Sequence, residues 1–147
     1  MNKMMYKALS SNTDGTKDWV EGYVSRCEKH PTIVDEDGVG VFVDGDTICQ
    51  CTNMVDKNGK AIWENDILMG HGNPNDLAKV VFGEFAVIEV ESLERIDGVI
   101  GWHTEVIPTD AISKAEPFCL PMPLTDFYIK QSEWEVIGNC FDIPKKE

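Results

Sequence analysis

The dipeptide Asn58-Gly59 is the strongest turn signal in this sequence, and it lies between two short apolar runs. Asn-Gly suits a type I′ hairpin turn, because both central residues of that turn need a positive φ. The pattern therefore predicts a β-hairpin whose register is set by this turn, with its second strand facing the core. The positions that define the fold around it are Asp56, Asn58, Gly59, Ile62, Trp63, Asp66 and Ile67.

Turn signals recur along the rest of the chain and separate short apolar segments. Strands this short, with a turn about every eight to twelve residues, are typical of a sandwich or barrel. Residues 3–9 and 18–26 are predicted to form an N-terminal hairpin, and Gly22 within it indicates a bulge or a close backbone approach. The apolar run 77–90 is expected to split into a second hairpin at Gly83-Glu84, and Asp97-Gly98 to form a further turn.

The predicted fold is mainly β with little helix, and residues 1–147 are expected to form a single domain. Residues 1–60 form an N-terminal β region in this interpretation. Residues 61–107 and 132–141 form a small, partly open, SH3-like barrel. Residues 108–131 are predicted to be an irregular excursion outside the core, because Pro117, Pro121 and Pro123 interrupt regular structure.

The charge balance restricts the partners that this protein can have. Thirteen basic and twenty-six acidic residues give a net charge of −13, which argues against direct binding to nucleic acid or to an anionic membrane surface. No apolar run reaches the roughly 18 residues of a membrane helix. Five cysteines without scaffold-like spacing favour a reducing compartment, so we expect a cytoplasmic protein.

The sequence contains candidate ligands for a calcium site and for a zinc site. The segment after Asp56 begins like a calcium loop, but Lys60, Ala61 and Ile67 occupy the positions that need an oxygen ligand, glycine and glutamate. A zinc site could use four other residues, although no C-x-x-C knuckle supports it and small buried strand residues are the preferred interpretation. Those four candidates are Cys27, His30, Cys49 and Cys51. We expect no metal and no cofactor.

Five carboxylates cluster in two neighbouring turns and could form an interaction patch. Carboxylates in such turns usually bond their own backbone, and a paired-carboxylate active site is the alternative. The five are Asp35, Glu36, Asp37, Asp44 and Asp46.

Four segments, in order along the chain, resemble the YopX family of phage and prophage proteins. Residues 19–23, WVEGY, are similar to the family's W-V-x-G-Y. Residues 43–68, VDGDTICQCTNMVDKNGKAIWENDIL, carry the longest match, to T-x-x-Q-Y-T-G-L-x-D-x-N-G-x-x-I-Y-E-G-D-I-V. Residues 80–82 and 135–139 resemble the family's V-x-F strand and its closing E-V-I-G-N.

Three positions depart from this family pattern. Cys51 replaces tyrosine, and Asn53 and Asn65 each replace glycine. Asparagine is the residue other than glycine that most readily adopts the left-handed conformation. We therefore expect that either these positions do not need a positive φ, or asparagine supplies it.

The resemblance implies a mainly β, soluble protein inside the bacterial host, without a known activity and without catalytic residues to transfer. The first hypothesis is a non-enzymatic accessory protein that binds other proteins, and that is able to form homo-oligomers. The second is an acidic DNA mimic that inhibits a host DNA-binding protein. The third is a small metal-dependent hydrolase that uses the acidic turns or Cys49 and Cys51.

Overall fold

The computed structural model describes residues 5–11, 14–25, 30–89, 91–116 and 119–142, and the chain divides into two compact units after Asn53. The mainly β prediction is confirmed, with 50% of the chain in strands and 8% in helix. The N-terminal unit is therefore shorter than the β region predicted for residues 1–60.

The N-terminal unit is built on an antiparallel sheet. Its strands are β1 (Tyr6–Leu9), β2 (Trp19–Ser25), β3 (Thr32–Val34), β4 (Gly40–Phe42) and the start of β5 (Cys49–Val55), in the order β4-β3-β2-β1-β5. The predicted N-terminal hairpin is confirmed, since β1 pairs with β2. Gly22 allows the close approach that its position predicted, because a Cβ there would clash with the carbonyl oxygen of Val34.

Ala8, Ile33 and Val43 form the buried core of this unit. They come from β1, from β3 and from the residue after β4. Each is less than 5% exposed, with Ala8 and Ile33 fully buried. The core is small, so the unit depends on few apolar contacts.

The C-terminal unit contains a second antiparallel sheet. The elements of this unit are β6 (Ala61–Trp63), β7 (Asp66–Met69), β8 (Leu77–Ile88), β9 (Arg95–Ile107), β10 (Met122–Pro123), α1 (Asp126–Ser132) and β11 (Glu135–Asn139). The sheet order is β10-β9-β8-β7-β11. This sheet is open, and the described residues form no closed barrel.

The segment 108–131 is only partly the predicted irregular excursion: its described residues up to 121 form no strand or helix, whereas its last part contains β10 and α1 and contributes to the core. Leu124 and Ile129 pack with Leu68, Val80 and Trp134. The prolines of this segment therefore do not keep it out of the fold. Pro123 lies in the short edge strand β10, where a missing N–H is tolerated, and Thr125 then begins α1 by accepting a 3.1 Å hydrogen bond from the Tyr128 N–H.

The predicted hairpin at Gly83-Glu84 is wrong. Strand β8 continues through Gly83, which pairs directly with Gly101 of β9, and the chain reverses only at 89–94. The predicted turn at Gly98 is also wrong, because this glycine (φ 74°) lies inside β9 at a bulge opposite β8. Glycine marks a turn and a bulge equally well, so the sequence did not distinguish them.

The hairpin between β5 and β6 is confirmed, but its turn is not type I′. Gly59 has φ 79°, whereas Asn58 has no positive φ. The Asp56 carboxylate organises the loop: Oδ1 accepts hydrogen bonds from the N–H groups of Asn58 and Lys60, both at 2.9 Å. This three-residue loop with a left-handed glycine at its end is the other common way to close a hairpin.

The two asparagines that replace the family's glycines do adopt positive φ, 63° at Asn53 and 67° at Asn65. After the second of them, Asp66 is buried at 1% exposure. Its Oδ2 accepts a 2.7 Å hydrogen bond from Trp63 N–H, and its Oδ1 accepts one of 3.0 Å from Asn139 Nδ2. This carboxylate therefore joins the β6–β7 turn to the end of β11, and Ile62 and Trp63 are buried as predicted.

Candidate functional site

The three zinc candidates that the structure describes, His30, Cys49 and Cys51, are not brought together as metal ligands. Cys27 lies outside the described residues, and His30 is exposed and stacks on Phe42 with ring centroids 4.9 Å apart. Cys49 is buried and donates to the Thr47 carbonyl at 3.3 Å, whereas Cys51 accepts from the Asn53 N–H. Across the ranges that the structure describes, no three His, Cys, Asp or Glu side chains come together as metal ligands.

In the acidic turns of the N-terminal unit, two carboxylates accept hydrogen bonds from backbone N–H groups of the same turn. Asp35 Oδ1 accepts from the N–H groups of Asp37 and Val39, both at 2.9 Å. Asp44 begins a short 3-10 helix, Gly45–Thr47, by accepting from Asp46 N–H. The exposed carboxylates of the five are Glu36, Asp37 and Asp46. Their role as an interaction patch stays a prediction.

The hairpin of β8 and β9 carries exposed apolar side chains on one face. We call the exposed residues Phe82, Ile88 and Ile100, together with the half-buried Trp102 that also packs against the core of the unit, the hairpin surface. Strand alternation places Phe82 and Ile88 on one side of β8, and pairing of Phe82 with Trp102 and of Glu84 with Ile100 places the β9 residues on that side too. Phe82 is 51% exposed and Ile100 is 72% exposed.

This part of the hairpin is a two-stranded ribbon within the described ranges. Strand β7 pairs with β8 only along 77–79, and β10 pairs with β9 only at 103–104. The remaining edges of both strands present backbone N–H and C=O groups without a neighbouring strand. Such edges favour pairing with another chain.

The hairpin is also acidic. Residues 82–100 contain five acidic residues and one basic residue, which gives a net charge of −4. The one basic residue, Arg95, lies 2.6 Å from an oxygen of Asp97 and is neutralised by it. The apolar face is therefore surrounded by negative charge.

A cavity of about 370 Å³ lies elsewhere in the C-terminal unit. Its apolar wall includes Leu77, Val106 and Met122, and its polar groups include Asp76 and Asp110. None of the fifteen lining residues is lysine or arginine. A concave site of this size with a few convergent polar groups is the usual form of a ligand site.

Tyr128 brings the polar groups of this cavity together. Burial raises the pKa of its hydroxyl, and hydrogen bonding to the side chains of Thr104 and Ser132 partly offsets that rise. The negative charge of Asp76 raises the pKa further, so this carboxylate is close to the hydroxyl. The Tyr128 ring meets the Trp134 ring edge to face, with centroids 5.8 Å apart.

Trp134 is 3% exposed, and its indole Nε1 is buried with no acceptor in hydrogen-bonding geometry. The Trp134 side chain interacts with the Tyr128 hydroxyl and slightly lowers the pKa of that group. A buried N–H without a well-placed acceptor is rare, so this donor marks the cavity as a place where an oxygen is missing.

The rim of the cavity is held in place by hydrogen bonds. In the loop 70–76, His71 N–H donates to the Ser132 carbonyl at 3.1 Å, and His71 Nδ1 lies 2.9 Å from Glu133 Oε2. Across the cavity, Ser113 N–H donates to Asp110 Oδ1 at 2.8 Å, and hydrogen bonds from Ser113 lower the pKa of that carboxyl. Asp110 is therefore ionised at neutral pH.

Neither the hairpin surface nor the cavity is predicted from the sequence. The residues that line the cavity are spread from position 73 to position 134 and share no short motif. A signal was present for the hairpin surface: 77–90 is a strongly apolar run that is too long for a strand buried along its whole length.

No helix among the described residues is long and apolar enough to cross a membrane. The model of the YopX protein family matches residues 1–146, essentially the whole chain. No curated protein matches the chain, and no solved structure does.

Proposed function

Because the chain belongs to the YopX protein family, we propose that it is a phage- or prophage-encoded accessory protein that binds another protein without catalysing a reaction. The hairpin surface is the observation that carries this proposal. Two large apolar residues there, Phe82 and Ile100, are more than half exposed, and contiguous apolar exposure of this kind is typical of binding surfaces.

The chemistry of the hairpin indicates the kind of partner. The apolar face would bury against an apolar patch, and its acidic surroundings favour basic residues around that patch. A second copy of this chain would bring two net charges of −4 together, so a different protein is the preferred occupant. The exposed edges of β8 and β9 could add backbone hydrogen bonds to such a contact.

Site-specific photo-crosslinking tests this proposal. A photo-reactive amino acid replaces Ile100 in one variant and Ile137 in a control, because both are exposed isoleucines on strands, 72% and 51% exposed. In cells of the bacterial host we expect a covalent adduct with one basic-rimmed protein from position 100 and not from position 137. Adducts of equal pattern from both positions would refute the proposal, and an adduct with twice the mass of the chain would show self-association instead.

A substitution then measures the contribution of the surface to binding. We expect Ile100→Asp to weaken binding of the crosslinked partner at least about tenfold, as for a central contact residue, and Ile137→Asp to leave it unchanged. Salt separates this model from DNA mimicry. DNA mimicry would be favoured by a different result. The partner would then be a DNA-binding protein that is released completely by about 0.5 M salt and whose affinity is unchanged by Ile100→Asp.

A further inference from the structure

The cavity of the C-terminal unit has a charge that selects its ligand. Asp76 and Asp110 line it, and no lysine or arginine does. The carboxylate of Asp110 is held ionised by Ser113, as described above. Lys114 is near enough to lower the pKa of the Asp110 carboxyl, but it does not line the cavity. Two carboxylates at a concave site without a basic lining residue favour a cation, whose ammonium or guanidinium group can donate to a carboxylate.

The walls define the rest of the ligand. Leu77, Val106 and Met122 provide apolar surface, and the aromatic residues Tyr128 and Trp134 also line the cavity. An alkyl stem suits such a wall, and the aromatic rings favour a neighbouring cation. A cavity of about 370 Å³ is at the lower end of the range for small-molecule sites, so the ligand is small.

The buried indole N–H of Trp134 adds an independent requirement. It is a buried donor without a well-placed acceptor, on a residue that lines the cavity and interacts with Tyr128. A purely hydrocarbon amine offers no acceptor, whereas a ligand hydroxyl or carbonyl oxygen can accept from the Tyr128 hydroxyl and leave the Tyr128 oxygen as the acceptor for the indole N–H. We infer that this cavity binds an alkylammonium group that is joined to an acceptor oxygen, such as a lysine residue in a peptide or a free small amine.

This inference does not depend on the hairpin surface. The two features use different residues of the unit, and a partner could occupy either one without the other. The cavity would give the protein a specificity for lysine-like groups.

The indole N–H signals in a ¹H–¹⁵N NMR spectrum report directly on the site. The chain has four tryptophans, so the spectrum is simple, and Trp134→Phe assigns the signal of Trp134. Adding N-acetyl-lysine N-methylamide should shift the Trp134 signal in a saturable way. The norleucine analogue has the same backbone oxygens but no ammonium, and it should bind at least about tenfold more weakly.

Variants locate the charge that matters. Asp76→Asn with Asp110→Asn should weaken binding of the lysine derivative at least about tenfold. Glu91→Gln with Asp97→Asn removes the same charge from the hairpin and should leave binding unchanged. No shift of the Trp134 signal with the lysine derivative, equal binding of the norleucine analogue, or equal weakening by both double variants would overturn the inference.

The free diamine cadaverine distinguishes the two sources of the ligand. Tighter binding of the lysine derivative than of cadaverine supports a lysine of a protein or peptide, since only that ligand carries carbonyl oxygens. Binding of cadaverine that is equal or tighter would overturn the role given to Trp134 and leave only attraction of a cation by the two carboxylates.

Discussion

Two hairpin loops of this protein have the same hydrogen bonds and different surroundings. In 35–39 and in 56–60, an aspartate Oδ1 accepts from the N–H groups two and four residues later. In both, the glycine three residues later donates its N–H to the aspartate carbonyl at 3.0 Å and has a positive φ, 81° at Gly38 and 79° at Gly59. The same local pattern of aspartate and glycine therefore builds the same loop twice.

The loops differ in what lies beyond them. Asp56 is 5% exposed, and its Oδ2 accepts a 2.9 Å hydrogen bond from the Val136 N–H of β11. Lys57 N–H donates to the Trp134 carbonyl as well. Asp35 stays partly exposed, and the described residues supply no such bond to its second oxygen. The comparison shows that a local pattern specifies the shape of a loop, whereas distant contacts determine its contribution to stability.

Replacing the two aspartates should have the largest and most unequal effect. Asp56→Ala leaves three N–H groups without their acceptor, two of them in the loop and one in β11, and should lower the free energy of unfolding by about 3 kcal/mol or more. Asp35→Ala removes two partly solvated bonds and should cost about 1 kcal/mol. Urea unfolding followed through backbone amide signals of each unit measures both.

Equal losses for the two alanine variants would show that the bond to β11 contributes nothing. Asp56→Asn is the matched control, because it keeps one acceptor oxygen and replaces the other by an N–H₂ group. Its cost should fall between those of the two alanine variants.

The two glycines should behave alike. A Cβ at Gly38 or Gly59 would meet no atom within 4 Å, so alanine costs only the strain of a positive φ. We expect a loss of about 1 kcal/mol for each variant, by the same urea measurement. A clearly larger loss at Gly59 would mean that the surroundings also constrain the backbone of that loop.

Alkaline pH should destabilise the contacts around loop 56–60 more than those around loop 35–39. Burial raises the pKa of Tyr128, whose ring packs on Trp134, the residue that accepts from Lys57. A raised pKa in the folded state means that the stabilisation is complete below the unfolded value of about 10 and is lost as the pH rises through the folded value. Tyr128→Phe should abolish this part of the loss, which begins near about pH 10 and continues above it.

Unfolding experiments at several pH values check this with amide signals of 56–60 and 35–39. A wild-type protein and a Tyr128→Phe variant with the same alkaline profile would contradict it.

Exchanging the central residues of the loops should have the smallest effect. Glu36-Asp37 and Lys57-Asn58 can be swapped, since the hydrogen bonds in both loops involve the backbone and the first aspartate. Asn58 Nδ2 makes only an exposed 3.3 Å contact with Glu135. We expect changes within about 0.5 kcal/mol in urea unfolding, and larger ones would show that the side chains matter.

The sequence predicted well where structure is local. It placed the turns at 35–39 and 56–60, the N-terminal hairpin and the burial of Ile62 and Trp63, and it gave asparagine as one possible source of positive φ at 53 and 65. It assigned the wrong turn type at Asn58 because an Asn-Gly pair suits more than one hairpin loop. Asp56 selects the observed loop, because one carboxylate oxygen bonds the loop and the other bonds Val136 of β11. The bond to β11 joins residues that are distant in sequence, so the turn type could not be predicted from the local residues.

Errors and omissions arose where partners are distant in sequence. Gly83 was assigned to a turn because nothing nearby shows that Gly101 lies opposite it. The cavity joins Asp76, Asp110 and Trp134 from separate elements, so no spacing rule could find it. The net negative charge follows from the sequence, but the position of the acidic residues around the hairpin surface depends on the fold.

The bond between Asp56 and Val136 also affects folding during synthesis. These residues are 80 positions apart, and a ribosome adds about 5–20 residues per second. Asp56 therefore emerges roughly 4–16 seconds before its partner in β11. The first 53 residues can assemble their own sheet in that interval, whereas the C-terminal unit must hold its apolar strands unprotected until translation reaches β11.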